Sequence, residues 1–160
     1  QFTVKEFLTE LSQKKPVPGG GSVAALCGAA ACGLLCMAGE YSLGKGKSRQ
    51  VEGRLKKVVV QAKEMRDRFL DLADLDARAY LKVVKARSQA AKKKQDARKE
   101  AAAVPRETAR LCRQALALTP VMVTNGNPYL LSDVEVAVEL LFAAYKSAMI
   151  NVRVNQQGGS

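Results

Sequence analysis

Between Ser22 and Leu43 the chain carries one charged residue, Glu40, although 26% of all its residues are charged. Six alanines, the cysteines Cys27, Cys32 and Cys36, and Gly28, Gly33 and Gly39 are spread around the whole circumference instead of along one stripe. That pattern predicts a helix over about 22–43 that is apolar on every side, and a helix of that kind is buried on every side. Pro16, Pro18 and the glycines Gly19 to Gly21 precede it, with Ser22 as the expected N-cap. The run is long enough to cross a hydrocarbon layer of about 30 Å. Small residues insert weakly, however, so a buried central helix is expected and no membrane. A glycine-rich loop entering a helix also aims free N–H groups at whatever lies there, which by itself is a weak sign of anion binding.

The flanking segments read as amphipathic helices. Thr3 and Glu6 form a capping box ahead of Val4, Phe7, Leu8 and Leu11, which predicts a short helix within Thr3–Lys14. Gly44 and Gly46 end the apolar run, and Ser48 is placed to cap the next helix. From there Leu55, Val58, Ala62, Met65, Phe69, Leu72, Ala79 and Val83 recur at steps of three and four. The same rhythm lands on Asp76 between Leu72 and Ala79, so a carboxyl group faces the core, where an uncompensated charge is costly. Two readings follow: an ion pair or water-satisfied polar spot, or an acid–base group in a partly dry cleft. Asp71 and Asp74 fall off this seam.

Lys92, Lys93, Lys94, Arg98 and Lys99 crowd a segment with few apolar anchors, an exposed helix or a mobile loop. Pro105 marks a new helix start or a kink. Asn125 to Pro128 signal a turn. Ser132 and Glu135, in SDVE, predict a second capping box and a last helix with a stripe of Ala137, Leu141, Ala144 and Ala148. Continuing that stripe reaches Asn151 and Asn155. Two amides on a packing face need partners, either other helices or a ligand rich in donors and acceptors.

With 160 residues the chain is expected to form one domain. Proline and glycine cluster at a few points between stretches rich in helix formers, which gives an all-α fold class, a multihelical bundle around the central apolar helix. No secretory or transit pattern opens the chain, so a cytoplasmic location is expected. There is no histidine, and the four cysteines form no CxxC pair, so no metal site is expected and the thiols read as small buried hydrophobes. The net charge of +11 fits a solvated basic surface, an acidic small molecule or nucleic acid. A basic helical nucleic-acid-binding module without catalysis is the alternative function. No reading motif and few aromatics weigh against it, so no nucleic acid is expected.

PVPGGGSVAALCGA, DARAY around Asp76, AAAVP around Pro105, GNPYLLSD, and SAMINVRVN follow one another over nearly the whole chain. Together they resemble the cyclodeaminase/cyclohydrolase family, which comprises formiminotetrahydrofolate cyclodeaminases and methenyltetrahydrofolate cyclohydrolases. The resemblance implies an all-helical homodimer or larger even-numbered assembly. Its substrate would be a tetrahydrofolate derivative, polyglutamylated in many cases, with no cofactor beyond that substrate. It assigns Asp76 as the acid–base residue. Pro18, Gly19, Gly20, Gly21 and Ser22 would form part of the pterin pocket, and Asn127, Ser132, Asp133, Asn151 and Asn155 match other recurrent polar positions. Two departures stand out. RSQAAKKK occupies the place of an LPK-like segment, and family members continue past the final motif into a further helix where this chain stops at Ser160.

Overall fold

The computed structural model describes residues 3–157. Its helices are α1 (Val4–Leu11), α2 (Gly20–Glu40), α3 (Arg49–Ala86), α4 (Ala91–Leu116), α5 (Thr119–Asn125) and α6 (Leu131–Gln157), with a 3-10 turn at Pro128–Leu130 leading straight into α6. Four of them, α2, α3, α4 and α6, make an up-down-up-down bundle in which each packs on the next and α6 closes back on α2. Leu35, Leu55, Phe69, Leu72 and Leu141 lie fully buried at its centre.

Small residues on α2 set how closely α3 approaches. A methyl group added at Gly28 would lie 2.6 Å from the Phe69 ring, and one at Gly39 would lie 2.6 Å from Val59 Cγ2. Both glycines therefore give up their side-chain space to a neighbour. Gly44 and Gly46, at φ of +67° and +69°, turn the chain out of the apolar run as expected. The Thr3–Glu6 capping box and the Ser48 cap are both present.

Several expectations are corrected. The central helix spans Gly20–Glu40, not 22–43, and its N-cap is Gly19; Ser22 lies inside the first turn. That helix is not covered all round, since four helices in a square leave each an outer face. Val23, Leu26, Ala30, Gly33, Met37 and Tyr41 line this outer face and stay partly or fully open. Of the two readings of the basic segment the exposed helix holds, since it is the start of α4; what is corrected is Pro105 as a helix start, because α4 runs unbroken through that buried residue. The SDVE box does not form, because the chain is already turning at Pro128. Asn127 caps that turn instead, its Oδ1 accepting from the Tyr129 N–H at 3.1 Å. Finally, α1 forms but buries none of its residues.

Candidate active site

The apolar rhythm of α3 carries Asp76 to its inward face, opposite the first turn of α2. The carboxyl group lies against the Gly21 backbone so closely that an added methyl there would sit 2.0 Å from Asp76 Oδ1. The Ser22 hydroxyl, itself buried, is 3.2 Å from Asp76 Oδ2 and 2.9 Å from the Ala73 carbonyl, so its single proton is shared between two acceptors. The Ser22 backbone N–H also points to the carboxylate, which thus occupies the anion-favouring end of α2. Burial pushes the Asp76 pKa above its ordinary 3.8, and the two Ser22 hydrogen bonds pull it part of the way back. Among the described residues no ion pair neutralises it; the ion pairs formed by α3 involve Lys63, Arg66, Arg68 and Lys82. A half-buried carboxyl of raised pKa, with one face toward a hydroxyl and a helix terminus, can both take and return a proton.

Asn155 has a partner that sequence reasoning did not identify. Pro105 has no N–H, so the carbonyl four residues earlier, Ala101, loses its helical donor. Asn155 Nδ2 reaches that carbonyl at 3.5 Å from α6. This amide is committed to holding α4 against α6. Asn155→Ala should therefore destabilise the fold by about 1–2 kcal/mol, the cost of an orphaned buried acceptor. The loss should shrink on a Pro105→Ala background, where the substituted position supplies its own N–H. A double-mutant cycle in urea checks this, and additive effects would overturn it. Asn151 Nδ2 donates within α6, to Ser147 O at 3.1 Å.

Pairings along the bundle place these residues by level. Gly21–Asp76, Gly28–Phe69 and Gly39–Val59 run antiparallel between α2 and α3, and Asn155 meets Ala101 between α6 and α4. Gly19 to Ser22, Asp76, Asn151 and Asn155 thus share one end. Asn127 belongs to the other: its N–H donates to Ser42 Oγ at 2.8 Å, beyond the C-terminus of α2. Ser132 and Asp133 follow it in the first turn of α6. The length of α2, about 30 Å at 1.5 Å per residue, separates the two groups within one chain. The resemblance implies that all of them serve substrate binding, and a single chain does not bring Asn127, Ser132 and Asp133 together with the others.

The family described as formiminotransferase-cyclodeaminase matches residues 3–158. The chain belongs to that family. Within the formiminotransferase-cyclodeaminase family, a relative named methenyltetrahydrofolate cyclohydrolase, from Methylorubrum extorquens, is 33% identical over 98% of this chain and 80% of its own length. A solved structure of formiminotetrahydrofolate cyclodeaminase from Thermotoga maritima superimposes with a TM-score of 0.96 at 32% identity, covering all of this chain and 81% of that one. The mouse formimidoyltransferase-cyclodeaminase is 27% identical over 94% of this chain, which spans only 30% of that longer protein. The all-helical bundle and the resemblance drawn from PVPGGGS through SAMINVRVN are both borne out.

Proposed function

We propose that this chain is a folate one-carbon enzyme acting at the carbon that bridges N5 and N10 of tetrahydrofolate. It is either a formiminotetrahydrofolate cyclodeaminase or a methenyltetrahydrofolate cyclohydrolase, and it works as a homodimer. The observation that carries the reading is the Asp76 carboxyl, half-buried on the α2 N-terminus and raised in pKa, within a family whose relatives bear both names.

Both reactions pass through a tetrahedral carbon bonded to N5 and N10, with the departing amino group as its third heteroatom in the first and the oxygen of water in the second, and both need a proton moved each way. In the first, N10 attacks the formimino carbon, its proton leaves to Asp76, and the same proton is returned to the nitrogen that departs as ammonia. In the second, Asp76 takes a proton from the attacking water and returns it to N5 as the ring opens, and the remaining hydroxyl proton leaves to solvent as the formyl carbonyl forms. Ser22 holds the carboxylate in position, and a raised pKa makes the protonated form available for the second half of either cycle. The basic residues at the start of α4, Lys92 to Lys94 among them, would draw the substrate's glutamate tail by charge.

The test is to offer the purified protein 5-formiminotetrahydrofolate and, separately, 5,10-methenyltetrahydrofolate, and to follow the methenyl chromophore. The absorbance should grow with the first if the chain is a cyclodeaminase or decay with the second if it is a cyclohydrolase. No change above the spontaneous rate in either would refute the enzyme reading.

A further inference from the structure

Three contacts define the line of α3 that α2 covers. Phe69 fills the space left by Gly28, Ser22 Oγ donates to the Ala73 carbonyl, and the Asp76 carboxyl lies against Gly21. These residues recur at steps of four and three along one stripe of the helix, and the next step of four reaches Tyr80. Because α2 and α3 run antiparallel, Tyr80 comes level with residues 16–19, ahead of the first residue of α2, Gly20. Exposure changes accordingly: Phe69 is 0% and Ala73 8% exposed, whereas Tyr80 is 39% exposed.

The bundle itself does not end at that level. Lys82 pairs with Glu100, and Asn155 Nδ2 reaches the Ala101 carbonyl, so α4 and α6 still flank α3 there. Ala79 and Ala86 remain buried, and α3 continues past Asp76 to Ala86, about 15 Å further at 1.5 Å per residue. Three helices thus run on where four stood. No helix fills the corner that α2 vacates beside Asp76, and the ring of Tyr80 stands on its α3 wall.

A folate has a fixed covalent order. Its bridge carbon is held by the pterin through N5 and by the p-aminobenzoyl ring through N10, and the glutamate hangs from the far side of that ring. The chain presents the same order along α3 and into α4. Asp76 stands for the bridge, Tyr80 comes one turn further on, about 6 Å along the axis, and Lys92 to Lys94 follow at the start of α4 for the carboxylates of the tail. We infer that Tyr80 binds the p-aminobenzoyl ring, stacking on it and so aligning N10 with the Asp76 carboxyl. Offset stacking with ring centres about 4.5–7 Å apart suits that one-turn spacing. The inference rests on the folate reading above and adds a direction to it: the aryl ring and tail leave the carboxyl toward the C-terminal end of α3.

The experiment follows Tyr80 variants on whichever folate the wild-type chain turns over. Tyr80→Ala should raise KM roughly tenfold through loss of the stacked ring, while the acid limb of the pH profile stays where Asp76 sets it. Tyr80→Phe, which keeps the ring, should restore KM, and Tyr80→Leu, apolar without being aromatic, should fall between. Two fragments then assign the ring. p-Aminobenzoylglutamate, which lacks a pterin, should inhibit the wild type competitively and bind Tyr80→Ala roughly tenfold more weakly. 6-Methyltetrahydropterin, which lacks the aryl ring, should inhibit both alike. Circular dichroism checks the fold, and if Tyr80→Ala is not helical, Tyr80→Leu carries the same comparisons. A KM within about twofold of wild type in the ring-less variants, or one that Tyr80→Phe fails to restore, would overturn the proposal. So would p-aminobenzoylglutamate that does not inhibit or is indifferent to Tyr80, and a loss that falls on the pterin fragment instead. The two readings fail separately: a wild-type chain silent on both folates overturns the folate assignment and this inference with it, whereas turnover that ignores Tyr80 overturns the inference alone.

Discussion

Replacing Asp76 by Asn should leave a folded helical protein whose turnover falls by roughly 10²–10⁴-fold, the range that a positioned acid–base group contributes. The amide keeps the size of the carboxyl and still offers an oxygen to Ser22, so circular dichroism should not change. The pH dependence gives an independent check. Since burial raises the pKa of Asp76, the acid limb of kcat/KM in the wild type should fall above pH 3.8, the ordinary value for an aspartate. Ser22→Ala removes a hydrogen bond that holds the charged form, so it should move that limb further up. Stability follows with a definite sign. A carboxyl whose folded pKa exceeds its unfolded value is bound more favourably when protonated. Its contribution is therefore present below the unfolded pKa and is lost as pH rises through the folded one. At pH 7 Asp76→Asn should accordingly be no less stable than the wild type, and the two should converge in acid. A variant that keeps wild-type turnover would remove Asp76 from the mechanism. One that unfolds at pH 7 would make the carboxylate a cap for α2 and nothing more.

What the sequence revealed and what it hid divide by range. Asp76 was legible because the three-and-four rhythm of Leu55 to Ala79 is a local property of one helix, and its inward direction survives folding. The capping signals were legible where nothing competed: Thr3 and Ser48 cap as read, but at SDVE the turn begun by Asn127 and Pro128 starts the helix before Ser132 can. Pro105 was ambiguous because the group that satisfies the carbonyl it frees, Asn155, lies 54 residues from that carbonyl. Whether α2 is enclosed could not be read from its composition. Apolar residues all round do not say how many neighbours there are, and the bundle covers only the inner faces. The separation of Asn127, Ser132 and Asp133 from Asp76 was hidden for the same reason, since it depends on the antiparallel register of four helices and on no spacing within any one of them.

Gly21→Ala should separate activity from stability more sharply than any change of charge. The added methyl would meet Asp76 Oδ1 at 2.0 Å and the carboxyl carbon at 2.4 Å, so the carboxyl must swing away from the α2 terminus and from Ser22. A short, half-buried side chain can make that move at modest cost, and alanine is the better helix former by up to about 1 kcal/mol. The expected result is a melting temperature close to wild type together with a loss of turnover comparable to Asp76→Asn. Gly28→Ala is the contrasting change one helix segment further in. There the methyl would lie 2.6–2.8 Å from three ring atoms of Phe69, which is 0% exposed and has nowhere to go. Overpacking of that kind costs about 1–3 kcal/mol, so Gly28→Ala should lower the melting temperature and leave the chemistry of the remaining folded molecules unchanged. Gly53→Ala, an exposed position on α3 far from Asp76 whose methyl meets nothing within 4 Å, is the silent control. If Gly21→Ala turned over like the wild type, the carboxyl would not need its place at the first turn of α2, and the glycine loop would be only the entry to a helix. If it fails while Gly53→Ala works, the loop acts on the chemistry through the bare Cα of residue 21 against the Asp76 carboxyl.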